Sequence, residues 1–153
     1  MRIIEQPNLN PAESETLLGI WERSVKATHD FLSPAEVAAI KQYVPQAFAG
    51  VEHLIIARDD SGQAVGFMGI NDRKVEMLFV DANQRGQGVG RQLLEFGIQH
   101  YGVDELAVNE QNPQARGFYE YMGFAVVKRS PVDDQGNPYP ILEMKRKIKD
   151  ENS

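Results

Sequence analysis

A mixed α+β fold, a single domain around a central sheet, is predicted by three features of this sequence. Hydrophobic periodicity alternates between strand and helix spacing in the order β-α-α-β-β-β-α-β-α-β-β. Turn chemistry joins consecutive strands into hairpins, and these flank a strand–helix–strand crossover, which calls for a parallel pair in the middle of the sheet. The length of 153 residues is one domain with a real core, since such a domain buries roughly 70% of its unfolded surface. The expected architecture is about seven strands flanked by four helices, over residues 1–149, with a polar tail at 150–153.

Each element has its own signal. Arg2 to Gln6 reads as a first strand. Asn10 is a helix cap, Pro11 suits the first helical position, and Glu13 faces the positive dipole end. Leu17, Leu18, Trp21 and Val25 then follow at helical spacing. Ser33-Pro34-Ala35-Glu36 is a capping box. It opens a second helix with Val37, Ile40 and Val44 as its stripe and Pro45 just past its end. Val51 to Arg58 and Ala64 to Asn71 read as strands joined by Asp59-Asp60-Ser61-Gly62, which is hairpin chemistry. Lys74 to Asp81 is the next strand, and a helix follows with Val89, Leu93, Phe96, Gly97 and Tyr101 on one face. Glu105 to Val108 is a short strand. Asn112-Pro113 opens a helix that Gly123 stops. Phe124 to Ser130 and Ile141 to Lys147 close the sheet.

Composition excludes several functions. The net charge is −6, which argues against a protein held by nucleic-acid phosphates. No cysteine is present, which removes disulfides, thiolate metal sites and a cysteine nucleophile. His29, His53 and His100 show no ligand spacing, so no metal is expected. No Gly-x-Ser-x-Gly elbow suggests a serine hydrolase. No apolar run reaches the ~20 residues of a membrane span, and the first residues lack the apolar stretch of a signal peptide. The expectation is a soluble, cytoplasmic protein with no nucleic-acid or membrane partner, as a monomer or homodimer.

The segment Arg85-Gly86-Gln87-Gly88-Val89-Gly90-Arg91 carries the chemistry. It joins a strand to an amphipathic helix. Glycines there allow several N–H groups to point into one concavity. The helix start adds its dipole and unpaired donors, and Arg85 and Arg91 add charge. This is a diphosphate cradle. It has neither the dinucleotide glycine spacing nor the Lys-Ser/Thr pair of an ATP loop.

Leu78-Phe79-Val80, then Arg85 to Gly90, then Asn112, then Gly117-Phe118-Tyr119-Glu120-Tyr121-Met122-Gly123-Phe124 together resemble the GNAT family of N-acetyltransferases. The resemblance covers nearly the whole chain and is strongest from about Glu76 to Phe124. Trp21-x-x-Ser24-Val25-x-Ala27-Thr28-His29-Asp30-Phe31-Leu32 resembles a bacterial subgroup. The resemblance implies acetyl transfer from acetyl-CoA to a primary amine by direct attack: a small molecule, a peptide N-terminus or a lysine. It implies that Leu78, Phe79 and Val80 line the pantetheine and thioester, on a strand carrying a bulge, with a backbone N–H near Val80 for the oxyanion. Arg85, Gly86, Gln87, Gly88, Val89, Gly90 and Arg91 would hold the pyrophosphate. Asn112 would touch the CoA arm, and Tyr119 would face the sulfur as acid. The first two helices would wall the acceptor pocket, and the loop Asp133 to Tyr139 would face it, Asp133 and Asp134 favouring a cation.

The reaction needs a neutral amine, a stabilised oxyanion and a leaving thiolate. An alkylamine with a pKa of about 10 is mostly protonated at neutral pH, so a base is needed. Glu76, two residues before Leu78, is a candidate base and, more plainly, a solvated strand residue. Asn112 is also a natural helix cap, and Tyr119 also a packing aromatic. Trp21, Ser24, His29 and Phe31 are candidate acceptor-pocket residues, with His29 alternatively a partner of the helix dipole. A non-catalytic acyl-CoA-binding sensor is the competing reading; it would keep the glycine loop and need no Tyr119. A generic nucleotide-binding protein is a third.

Overall fold

Caps and turns place the helices where local chemistry dictates. The computed structural model describes residues 1–84, 86–133 and 136–147. The chain forms two compact units, Met1–Val103 and Asp104–Ser153.

The first unit contains β1 (Arg2–Glu5), α1 (Pro11–Thr28), α2 (Pro34–Lys41), α3 (Val44–Gly50), β2 (His53–Arg58), β3 (Ala64–Asn71), β4 (Lys74–Val80), a 3-10 turn (Ala82–Gln84) and α4 (Val89–Tyr101). The Asn10 side chain accepts the Glu13 N–H at 2.8 Å, and Ser33 and Glu36 close the capping box. Strands β1 to β4 pair antiparallel in chain order. Asp59 Oδ1 accepts from the Ser61 and Gln63 N–H groups at 2.9 and 3.0 Å, which shapes the β2–β3 hairpin.

One face of these strands is covered by α1 and α3. Leu17, Ile20, Trp21 and Val25 pack there with Phe48, Ile56 and Phe67, and Phe48 meets Phe67 edge-on at 5.2 Å. Each such side chain contributes about 1.5–3 kcal/mol on burial. The other face receives Val89, Leu93 and Gly97 of α4. A Cβ on Gly66 would lie 2.9 Å from Val89 Cγ1 and 3.1 Å from the Phe79 carbonyl. That glycine therefore lets the first turn of α4 sit directly on the end of β4.

The second unit contains β5 (Glu105–Asn109), α5 (Pro113–Tyr121), β6 (Phe124–Ser130) and β7 (Ile141–Arg146). β7 pairs antiparallel with both β5 and β6. Leu106, Phe124, Leu142 and Met144 are buried. Gly123 ends the segment after α5 at φ +98°, a left-handed conformation that stops a helix.

Two expectations need correction. Val44 does not extend the stripe of α2, and Pro45 is not a stop signal. α2 ends at Lys41, and Val44–Gly50 forms its own helix with Pro45 in its first turn, where a missing N–H costs nothing. Ile40 is 39% exposed, while Val44 and Phe48 are buried. The described residues thus hold five α-helices rather than four. Second, β4 bulges at Glu76 and not at Val80. Gly69 pairs with Met77 and Ile70 with Val75, which leaves Glu76 as the extra residue, whereas pairing is regular up to Gly66 opposite Val80. The boundary between residues 149 and 150 lies outside the described residues.

Candidate active site

The end of β4 leads straight into the cradle. Directly opposed residues share a face. Phe79 opposes Phe67 and turns into the α1 side, while Leu78 and Val80 oppose Met68 and Gly66 on the α4 side. Asp81 follows. Its N–H donates to the Val65 carbonyl at 2.9 Å, its carbonyl accepts the Gln84 N–H at 2.8 Å, and Oδ1 accepts the Asn83 N–H at 3.4 Å. Arg23 of α1 grips the same carboxylate from the other side and holds its pKa below the usual carboxylate range.

Gly86 and Gly88 have φ +82° and +79°, and nothing lies within 4 Å of where a Cβ would stand. The glycine requirement is conformational, and the space beside the backbone is open. Gly86, Gln87 and Gly88 are exposed. α4 begins at Val89 with no side-chain cap, so its first-turn donors are left for an anion. The residues present fit a diphosphate. Arg91 ion-pairs with Glu95 at 2.8 Å. Arg85 lies outside the described residues.

Within the second unit, α5 carries two polar groups on one face. Asn112 and Tyr119 are seven residues apart, two helical turns, hence about 10 Å along one side. Both are only 8% exposed. Asn112 Oδ1 caps the helix through the Ala115 N–H at 3.2 Å, which satisfies its capping role; its amide NH2 has no partner among the described residues. Tyr119 packs beside Phe118 and Phe124, with ring centroids at 5.2 and 6.2 Å. No described group hydrogen-bonds its phenol. Burial pushes its pKa above the ordinary tyrosine value, and the hydroxyl is a hydrogen-bond donor at neutral pH. In the loop before β7, Asp133 Oδ1 accepts the Asn137 N–H at 2.8 Å, the turn role its sequence suggests; Asp134 lies outside the described residues.

The four acceptor-pocket candidates separate. Trp21 and Ser24 are buried on the inward stripe of α1 with Leu17, Ile20 and Val25. His29 and Phe31 lie half-buried just past the end of that helix, ring centroids 5.3 Å apart. Glu76 is exposed on its bulge. Sequence reasoning passed over Arg23 and Asp81. The available signal was an acid ending an apolar strand run, opposite a helix whose polar side carries one arginine.

Among the described residues, no group of His, Asp and Glu is placed to hold a metal, and no helix is long and apolar enough to cross a membrane. The family profile of the acetyltransferase (GNAT) domain matches residues 15–146. Similar proteins include the peptidyl-lysine N-acetyltransferase YjaB of Salmonella typhimurium, 46% identical over 86% of this chain and 90% of its own length. YjaB of Escherichia coli K12 is 45% identical over 86% of this chain and 89% of its own. The solution structure of apo YjaB from Escherichia coli superimposes with TM-score 0.84 at 40% identity, over 95% of this chain and 98% of that one. The fold is shared at 22% identity and TM-score 0.69 with a PaiA N-acetyltransferase from Thermoplasma acidophilum in complex with coenzyme A, over 97% of this chain and 100% of that one. The cradle, the fold and these likenesses agree: the chain belongs to the GNAT acetyltransferases, which transfer an acetyl group from acetyl-CoA to an amine.

Proposed function

We propose that this chain acetylates lysine side chains of peptides or proteins. The observation that carries the catalytic part is Tyr119: a phenol in a residue 8% exposed, protonated at neutral pH, with no described partner. A leaving thiolate would satisfy it and take its proton. The lysine preference is supported by the 46% identical peptidyl-lysine acetyltransferase of Salmonella and by the net charge of −6, which steers a cationic acceptor inward.

In this reading the backbone of Leu78, Phe79 and Val80 lines the pantetheine and the thioester. A backbone N–H near Val80 serves the oxyanion, a donor of a kind worth about 3 kcal/mol. Arg85, Gly86, Gln87, Gly88, Val89, Gly90 and Arg91 hold the pyrophosphate, and the free amide of Asn112 contacts the CoA arm. Trp21 and Ser24 back the acceptor wall from the core, and His29 and Phe31 form its surface. Glu76 adds negative charge that favours an ammonium group. The thiol of CoA has a pKa near that of cysteine, about 8.5, so donation from Tyr119 assists its departure.

The test is steady-state acetylation of a peptide with a blocked N-terminus and one lysine, beside the same peptide with arginine in its place. Acetylation of the lysine peptide alone supports the reading. Acetylation of small amines with none of the lysine peptide would replace it by a small-molecule acetyltransferase, and acetyl-CoA binding without turnover on any amine by an acyl-CoA sensor.

A further inference from the structure

We infer that His29 is the general base that takes the proton from the acceptor's ammonium group; this rests on the acetyl-transfer reading above. Hydrogen-bond accounting carries the inference. The Thr28 hydroxyl has one proton and donates it to the Ser24 carbonyl at 2.8 Å. The same oxygen lies 2.7 Å from His29 Nδ1. The hydrogen in that contact must therefore come from the ring, which fixes the Nδ1–H tautomer. Nε2 is left with its lone pair, and no described group engages it.

The surroundings keep the ring neutral. His29 follows the last residue of α1, its N–H bonded to the Val25 carbonyl at 2.7 Å. The helix dipole there favours an imidazolium, and so does the neighbouring Asp30. Burial outweighs Asp30 and holds the pKa below the ordinary histidine value. Position agrees. Arg23 is tied to Asp81 at the exit of β4, and His29 lies six residues on, about 9 Å further along the helix axis. His29 thus follows the same helix that Arg23 ties to the end of β4.

The step balances. Nε2 takes one proton from the ammonium. The freed amine forms the N–C bond to the thioester carbonyl, and the C–S bond breaks. Tyr119 protonates the thiolate and recovers a proton, through solvent, from the nitrogen of the new amide. His29 returns its proton to solvent, so one proton is released per amide formed. Nδ1–H stays on Thr28 Oγ1 throughout.

The decisive variant is His29→Asn, whose amide can still donate to Thr28. The substrates are acetyl-CoA and the blocked single-lysine peptide. kcat/KM should fall about 100-fold or more, the range for a general base, with acetyl-CoA Kd and Tm unchanged. The acid limb of the wild-type pH profile, with an apparent pKa below ordinary histidine, should disappear. His29→Gln, the second variant, should behave alike, and Glu76→Gln should keep the limb. A His29→Asn enzyme within about threefold of wild type and with the same limb would overturn the proposal, as would loss of the limb in Glu76→Gln alone. If the wild type acetylates no amine at all, the acetyl-transfer reading itself fails and takes this proposal with it.

Discussion

The Arg23 guanidinium forks onto Asp81, Nε reaching Oδ1 at 3.0 Å and Nη2 reaching Oδ2 at 2.9 Å. The arginine belongs to α1 and the aspartate to the first step out of β4, so one planar pair ties the helix to the strand that leads into the glycine loop. Asp81 also bonds β3 and the 3-10 turn through its backbone. Asp81→Asn should destabilise the fold by about 2 kcal/mol, since it leaves Arg23 half-paired and weakens a charge-assisted fork. Arg23→Lys should recover only part of the loss from Arg23→Gln, because an ammonium cannot make the two-point contact. KM for acetyl-CoA should rise in both Arg23 variants. Thermal melts and initial rates check this.

The same pair predicts a pH dependence. Arg23 lowers the folded-state pKa of Asp81 below its unfolded value of about 3.9. A group depressed in this way stabilises the fold above its unfolded pKa, and the contribution is lost as pH falls through the folded value. Tm should therefore drop on the acid side, and the drop should be shallower in Arg23→Gln. Parallel curves for the two proteins would remove the pair from the account.

Gly88 should tolerate substitution poorly for two separable reasons. Its φ of +79° strains any side chain, at a cost of about 1–2 kcal/mol. Gly88→Ala probes that strain alone, since a Cβ there meets nothing. Gly88→Asp adds a carboxylate where phosphate is expected. Acetyl-CoA affinity measured by calorimetry should fall at least about tenfold more for Asp than for Ala.

Tyr119→Phe should preserve packing, because Phe118 and Phe124 already surround the ring with aromatic faces. Stability should hold, since the hydroxyl that is removed makes no hydrogen bond to a described group. kcat should fall by about 100-fold, with acetyl-CoA Kd nearly unchanged. A variant with full turnover would leave the ring only a packing role.

Periodicity and capping residues revealed most elements, because Asn10, Ser33 and Asn112 each satisfy local donors regardless of the rest of the fold. α3 was hidden because Val44 continues the apolar spacing of α2, and a proline just past the last apolar position reads alike as a stop and as the first turn of the next helix. The bulge was misplaced because an extra residue leaves no mark on composition; only the pairing of Val75 and Met77 with β3 reveals Glu76. The glycine loop and Tyr119 were legible as motifs. The Arg23–Asp81 fork spans 58 positions, and no local pattern announces such a pair. The tautomer of His29 depends on which way one hydroxyl donates, a fact of three dimensions.

The central claim is that this chain moves an acetyl group from acetyl-CoA to a lysine amine with Tyr119 as the acid. The most direct test is mass analysis of the blocked single-lysine peptide after incubation with acetyl-CoA and either wild type or Tyr119→Phe, under multiple-turnover conditions. The account predicts one added acetyl group per lysine with wild type and almost none over the same interval with Tyr119→Phe. Equal acetylation by both proteins, or none by wild type that binds acetyl-CoA, would contradict it.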